Sequence, residues 1–133
     1  MIAFSSAVEV LRMANYLGRA DHYTWSIYST DGEAVHASNG IVVRPTRALD
    51  HSALPDVMIV CGGIRIRDTV DEGTRAMLAK LAAQAIPLGS ICTGAYALMS
   101  SKLLDGYRCA VHWESRSTLH EEFPLVHFAD ELF

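Results

Sequence analysis

The sequence predicts an α/β protein built on a mainly parallel sheet with helices on both faces. Strand-like runs alternate with stretches of helical periodicity along the second half of the chain, the order that produces parallel sheets. Val57-Met58-Ile59-Val60-Cys61 is an unbroken apolar run, as in a strand buried on both faces, and Gly62-Gly63 ends it. Leu88-Gly89-Ser90-Ile91 is a second short buried run, followed at once by Cys92-Thr93-Gly94 and a helix of small and apolar residues. Cys92 is therefore expected at a sharp strand-to-helix corner.

The remaining elements come in order along the chain. Ser6-Ala7-Val8-Glu9 fits a capping box, serine at the N-cap and glutamate three residues on, so a helix should run from there to about Leu17 and stop at Gly18. Its Ala7, Val10, Leu11, Ala14 and Leu17 share one face, the spacing of a core-facing helix. Tyr23 to Ser29 is rich in aromatic and β-branched residues and reads as a strand. Ala34 to Ser38 and Ile41 to Arg44 are two short β runs joined by Asn39-Gly40, a dipeptide that accepts the positive φ of a tight hairpin turn. Asp71 to Gln84 reads as a helix closed by Pro87, and the helix after Cys92 runs from Thr93 to about Ser101. Asp105-Gly106 is a turn, Tyr107 to Val111 a strand, Ser115 to Glu122 a helix and Leu125 to Phe128 a last strand.

Composition narrows the class. The chain has 133 residues, 50% hydrophobic and 20% charged, which places it among globular domains with one core. No apolar run reaches the ~18–20 residues of a membrane span, and Met1-Ile2-Ala3-Phe4 carries no basic segment of a secretory signal. Cys61, Cys92 and Cys109 are odd in number and lack CxxC spacing, which argues against a disulfide framework or a zinc site and for a reducing compartment. The net charge of −4 and the scattered basic residues, Arg65 to Arg67 being the densest group, leave no basic face with which this chain alone would grip DNA.

In open α/β sheets ligands sit at the carboxyl ends of strands. Gly62-Gly63, Cys92 and His112 are all expected there, which makes that edge the candidate site. A thiol at a corner with a helix N-terminus beyond it suits a nucleophile or a bound anion, and His112 is the histidine placed to serve it. The amides of Thr93 and of Gly62 or Gly63 could cradle an oxyanion or a carboxylate. Cys61 and Cys109, inside apolar runs, are expected in the core; His22, His36, His51, His120 and His127 on the surface or in packing; Trp25 and Trp113 in core or pocket wall. A cysteine nucleophile usually has its base oriented by a third group, often a carboxylate, yet the residues before the first helix, Ile2 to Ser6, include no acid.

Several segments together resemble the class I glutamine-amidotransferase-like superfamily, also called ThiJ/PfpI. They are Phe4-Ser5-Ser6-Ala7-Val8-Glu9-Val10-Leu11-Arg12-Met13-Ala14-Asn15, Ala37-Ser38-Asn39-Gly40, Val60-Cys61-Gly62-Gly63, Cys92-Thr93-Gly94-Ala95-Tyr96, and Leu103-Leu104-Asp105-Gly106-Tyr107-Arg108 through His112-Trp113-Glu114. The closer likeness is to the amidotransferase-like sensor domain of AraC-type transcriptional regulators, and Asp130-Glu131-Leu132-Phe133 looks like the start of a further family segment.

The resemblance implies a flavodoxin-like three-layer sandwich with a mostly parallel sheet, a nucleophile-elbow cysteine at Cys92 and a small β-hairpin. It also implies an N-terminal sensing domain that answers to small metabolites such as amino acids or quaternary amines, followed by a helix-turn-helix domain. Residues 1–133 are then expected to be one ligand-sensing domain, shortened at both ends and without its DNA-binding partner. The expected ligand site is Gly62, Gly63, Cys92, Thr93, His112 and Trp113, with no cofactor or metal, in a cytoplasmic homodimer that reaches DNA only through the other domain. The alternative is a cysteine-dependent hydrolase or hydratase with Cys92 and His112 as catalytic residues. Enzymes resembling isonitrile hydratase carry an aspartate where this chain has Ala3, and that departure favours binding over turnover. A redox sensor using Cys92 ranks last, for want of a resolving cysteine nearby in sequence.

Overall fold

A computed structural model describes residues 1–47, 54–112 and 115–129. His51, Trp113, Glu114 and residues 130–133, all named in the sequence expectations, lie outside the described residues. The chain divides into two units, Met1–Leu54 and Pro55–Phe133, which are taken in turn.

The first unit holds helix α1 (Ile2–Gly18), strands β1 (Val35–His36) and β2 (Val42–Val43), and extended chain between them. The helix starts earlier than the capping box predicts. Met1 is its N-cap, and Ser5 turns its hydroxyl back onto the carbonyls of Met1 and Ile2, at 3.1 and 3.0 Å. Glu9 pairs instead with Arg12 on the next turn, Nε donating to Oε2 at 2.8 Å. Gly18 is the last helical residue and Arg19 takes the left-handed cap, with φ +51°. No residue of α1 is buried, and Val10 and Leu17, on its apolar face, are 67% and 72% exposed. The first unit has no second helix among its described residues to cover that face.

Tyr23 to Ser29 is extended without being a ladder strand, because side chains take the bonds that a neighbouring strand would make. The Asn15 amide spans Tyr23, donating to its carbonyl at 2.7 Å and accepting from its N–H at 2.9 Å. Thr46 does the same at Ile27 with one hydroxyl and one N–H, at 2.8 and 2.9 Å. β1 and β2 pair antiparallel, Val35 opposite Val43. Five residues, 37–41, connect them, and inside the pair Ala37–Ile41 the turn has three residues rather than two. Ala37 donates to the Ile41 carbonyl and accepts from the Gly40 N–H, both at 2.9 Å, and only Gly40 has positive φ, at +83°.

The second unit carries strand β3 (Met58–Cys61), helices α2 (Ile66–Thr69) and α3 (Glu72–Ala83), strand β4 (Leu88–Ile91), a 3₁₀ turn (Cys92–Gly94), helix α4 (Ala95–Ser100), strand β5 (Arg108–Cys109), helix α5 (Arg116–Glu122) and strand β6 (His127–Phe128). β3 and β4 are parallel, in register from Met58 opposite Leu88 to Cys61 opposite Ile91; β5 and β6 are parallel, with Arg108 opposite His127. Among the described residues no ladder joins the two pairs. The α/β order and the parallel sense are those predicted. β3 is not buried on both faces: Met58 and Val60 face the packed side, while Ile59 is 46% exposed and Cys61 is open as well.

Helix α4 is the hub. Ala95 and Met99 join Leu119 and Val126 in one buried cluster, and Ala97 and Leu98 join Leu78 in another. A helix packed on two sides favours small and apolar residues at its buried positions, here Ala95, Ala97, Leu98 and Met99. Tyr96 meets Phe123 edge to face at 5.7 Å, and His120 tilts against Phe128 at the same separation. Among the described residues no helix is long and apolar enough to cross a membrane.

α3 begins on a true cap. The Asp71 carboxylate accepts from the Thr74 N–H and hydroxyl, both at 2.8 Å, and these bonds hold its pKa below the ordinary carboxylate value. A depressed carboxyl contributes stability that is fully present above its unfolded value and is lost as pH falls through the folded one. Asp71→Ala is therefore expected to lower the melting temperature at neutral pH, and to lose less further stability than the parent between about pH 5 and pH 2. Thermal melts of both proteins across that range check this; identical acid limbs would refute the cap's role.

Candidate functional site

Cys92 follows β4 directly as the first residue of the 3₁₀ turn, with φ +56°, in the left-handed region. A non-glycine residue there costs roughly 1–2 kcal/mol and persists only where its surroundings fix it. Two glycines do the fixing. A Cβ on Gly62 would fall on the main chain of Thr93 and Gly94, and a Cβ on Gly94 would fall on the carbonyl of Val60, so no side chain fits at either place. Gly63, one residue on, has open space around it. The Thr93 hydroxyl then ties the loop down, donating to the Gly63 carbonyl at 2.7 Å. Gly62 donates its N–H to the Ile91 carbonyl at 3.3 Å, so that amide belongs to the strand pairing and the part Gly62 plays beside Cys92 is steric.

The corner opens on a hollow of about 110 Å³. Cys92, Thr93 and His112 line it together. Cys92 and His112 are both exposed residues, so the sulfur and the imidazole border a space a solute can enter. Gly62 and Gly63 support the wall from behind through their contacts with Thr93. Apolar walls come from Ile64, Ile66, Val111 and Leu119.

Arg67 and Tyr96 also line it, with Ala95 and Ser115, and the sequence alone points to neither Arg67 nor Tyr96. The Arg67 guanidinium lies over the Tyr96 ring, 4.7 Å from its centroid, and Nη2 donates to Glu122 Oε2 at 2.6 Å. The Tyr96 hydroxyl donates to the other oxygen of Glu122 at 3.3 Å. The bond to Glu122 pushes the pKa of Arg67 further up, so its charge is permanent. α2 is only four residues long, too short for a periodicity signal, and nothing else in the sequence distinguishes Arg67 from its neighbour Arg65.

The other thiols differ from Cys92 in setting. Burial pushes the Cys109 thiol up, and it packs against the cluster around Leu119. Cys61 was expected in the core; its residue surface is open, but its sulfur is shaded against the Ile59 carbonyl at 3.9 Å and burial pushes that thiol up too.

A parallel α/β unit with a cysteine on a left-handed corner above a small hollow defines a family-level architecture, and comparison with known proteins gives the same answer. The profile of the DJ-1/PfpI family matches residues 4–131, and the chain belongs to that family. Over its 133 residues it is 42% identical to the HTH-type transcriptional regulator GbdR of Pseudomonas aeruginosa and 38% identical to CdhR, another HTH-type regulator of that organism. All of this chain is covered in both matches, against 36% and 39% of the relatives' own lengths. The crystal structure of an AraC family transcriptional regulator from Pseudomonas putida superposes with a TM-score of 0.82 at 33% identity, covering 97% of this chain and 69% of that one. The fold is thus the flavodoxin-like α/β fold of the family.

Because Gly94 has main chain where a Cβ would go and Gly63 has none, the two positions make a controlled pair. Gly94→Ala is expected to lose about 1–3 kcal/mol or more, as overpacked interiors do, while Gly63→Ala stays within about 0.5 kcal/mol of the parent. Urea unfolding of both variants measures the difference; equal stabilities would contradict the contact.

Proposed function

We propose that this chain is the ligand-sensing part of an AraC-type transcriptional regulator. A small polar metabolite of the amino acid or quaternary amine class would bind in the hollow bordered by Cys92, Thr93 and His112, with Gly62 and Gly63 behind its wall; Trp113 is proposed as a further ligand contact. The observation that carries this reading is the likeness to regulators along the whole chain, joined to a hollow open beside the corner thiol. DNA contact would belong to a separate domain, in keeping with the chain spanning just over a third of GbdR. The site needs no cofactor for this role. A cytoplasmic homodimer is the assembly proposed, its geometry shifted by the effector.

Size supports a small ligand. An engineered cavity of about 150 Å³ takes benzene, so a hollow of about 110 Å³ suits a body of about four or five heavy atoms, with the remainder held at the open side. Cys92 acts here as the nucleophile elbow of the fold turned to recognition, its left-handed backbone presenting the thiol to the ligand. Ala3, where the hydratase-like enzymes resembled by this sequence carry an aspartate, favours binding over turnover.

For a switch, the effector must prefer one of two states, typically by ~1–3 kcal/mol. Calorimetry of the full-length protein against a panel of amino acids and betaines is expected to give binding for at least one, weakened about tenfold by His112→Ala. Heat from none of them, with a folded preparation, would overturn the sensor reading; turnover of a bound compound that Cys92→Ala abolishes would favour the hydrolase.

A further inference from the structure

We propose that Arg67 is the group in this hollow that recognises a ligand's carboxylate, and that Glu122 is its built-in competitor, displaced in part when the ligand arrives. The proposal rests on the sensor reading for placing the effector in the hollow, and it specifies what the effector must carry.

Arg67 supplies a cationic wall to a hollow otherwise faced with hydrocarbon, a thiol, two hydroxyl-bearing residues, a tyrosine and an imidazole. Its guanidinium is held in place from two sides. Tyr96 lies beneath it at 4.7 Å and Glu122 takes Nη2 at 2.6 Å, while the same Glu122 accepts from the Tyr96 hydroxyl at 3.3 Å. Such a clamp fixes a long side chain that would otherwise lose its freedom on binding, so the guanidinium meets a ligand pre-organised. A guanidinium has five N–H donors in a planar fork, and Glu122 engages it at one nitrogen, which leaves the geometry for a second, planar oxyanion.

Two carboxylates on one guanidinium repel each other. The ligand's carboxylate and Glu122 therefore compete, and each gain by the ligand loosens the bond that ties α2 to α5. The three elements concerned are those around Cys92: α2 comes after the glycine loop, α4 after the corner, and α5 ends at Glu122. A carboxylate at Arg67 thus acts on helix-to-helix bonding directly, which is the kind of differential contact a sensor requires. Arg67 is half-exposed and Glu122 a third exposed in their side chains, so both are open to exchange partners.

The test uses acetate, a bare carboxylate, with acetamide as the matched neutral probe, on full-length protein carrying ¹⁵N-labelled arginine. Acetate is expected to shift the Arg67 Nε–H resonance with a Kd on the order of 10 mM, and acetamide to leave it unmoved. Arg67→Gln removes the responding resonance and identifies it. Glu122→Gln keeps Arg67 and is expected to tighten acetate about threefold or more, since the competitor's charge is gone. Equal response to acetate and acetamide, no response at Arg67, or weaker acetate binding in Glu122→Gln would overturn the proposal. The two readings fail separately. An acetate response at Arg67 with no metabolite bound leaves this proposal standing and the sensor reading fallen; metabolites that bind as tightly when their carboxylate is made a carboxamide do the reverse.

Discussion

Main chain lies against main chain where the end of β3 meets the turn after Cys92, and this contact governs everything around it. Gly62 and Gly94 face each other's backbone, and either would be displaced by a single methyl group. With both as glycine, the turn drops close onto the strand end, Cys92 is carried into the left-handed region, and the Thr93 hydroxyl reaches the Gly63 carbonyl. Two residues without side chains thereby decide where a thiol points. The backbone strain at Cys92 is small beside the packing that enforces it, and strain of this kind concentrates where a fold presents a chemical group.

Helix α4 makes the corner rigid. It is buried on two sides, with Met99 and Leu98 in separate clusters, so the helix leaving Cys92 cannot shift without opening both. The rim is different in kind. α2 is one turn long and α5 ends at Glu122, and the bonds that join them across Tyr96 are polar and partly open to solvent. A fixed floor and a rim tied by exchangeable polar bonds suit a site that must bind and report. Ion pairs at such exposure contribute little to stability, typically ~0–1 kcal/mol, so their loss on binding is tolerable to the fold.

The parts of the molecule legible in its sequence are those set by short-range rules. β4 ends where Leu88-Gly89-Ser90-Ile91 meets Cys92, and α3 starts at Asp71 because its carboxylate caps Thr74. The hairpin turn was visible in Asn39-Gly40, although a one-residue difference in loop length, decided by Ala37 pairing twice, was not. Where the sequence misled, longer-range partners intervened. Ser6 and Glu9 spell a capping box, but the helix begins a turn earlier and Glu9 finds Arg12. Tyr23 to Ser29 has strand composition, yet side chains of Asn15 and Thr46 take its backbone groups. Cys92, Thr93 and His112, which follow the carboxyl ends of β4 and β5, line one hollow, and ligand sites beyond strand ends are a general rule of parallel α/β folds. Arg67 and Tyr96 join them only through a cation–ring contact and Glu122, far off in sequence, and no local pattern announces such a cluster.

The central claim is that this corner presents one thiol to a ligand while burial disfavours the thiolate form of the other two. Alkylation of the full-length protein by iodoacetamide near neutral pH, tracked residue by residue with mass spectrometry and repeated with a saturating metabolite found by calorimetry, tests it most directly. The thiolate is the reacting form, and burial raises the Cys61 and Cys109 thiols away from it. Cys92 is predicted to label first and to be protected by the metabolite. Labelling of Cys61 or Cys109 ahead of it, or an unchanged rate at Cys92 with the metabolite bound, would contradict the account.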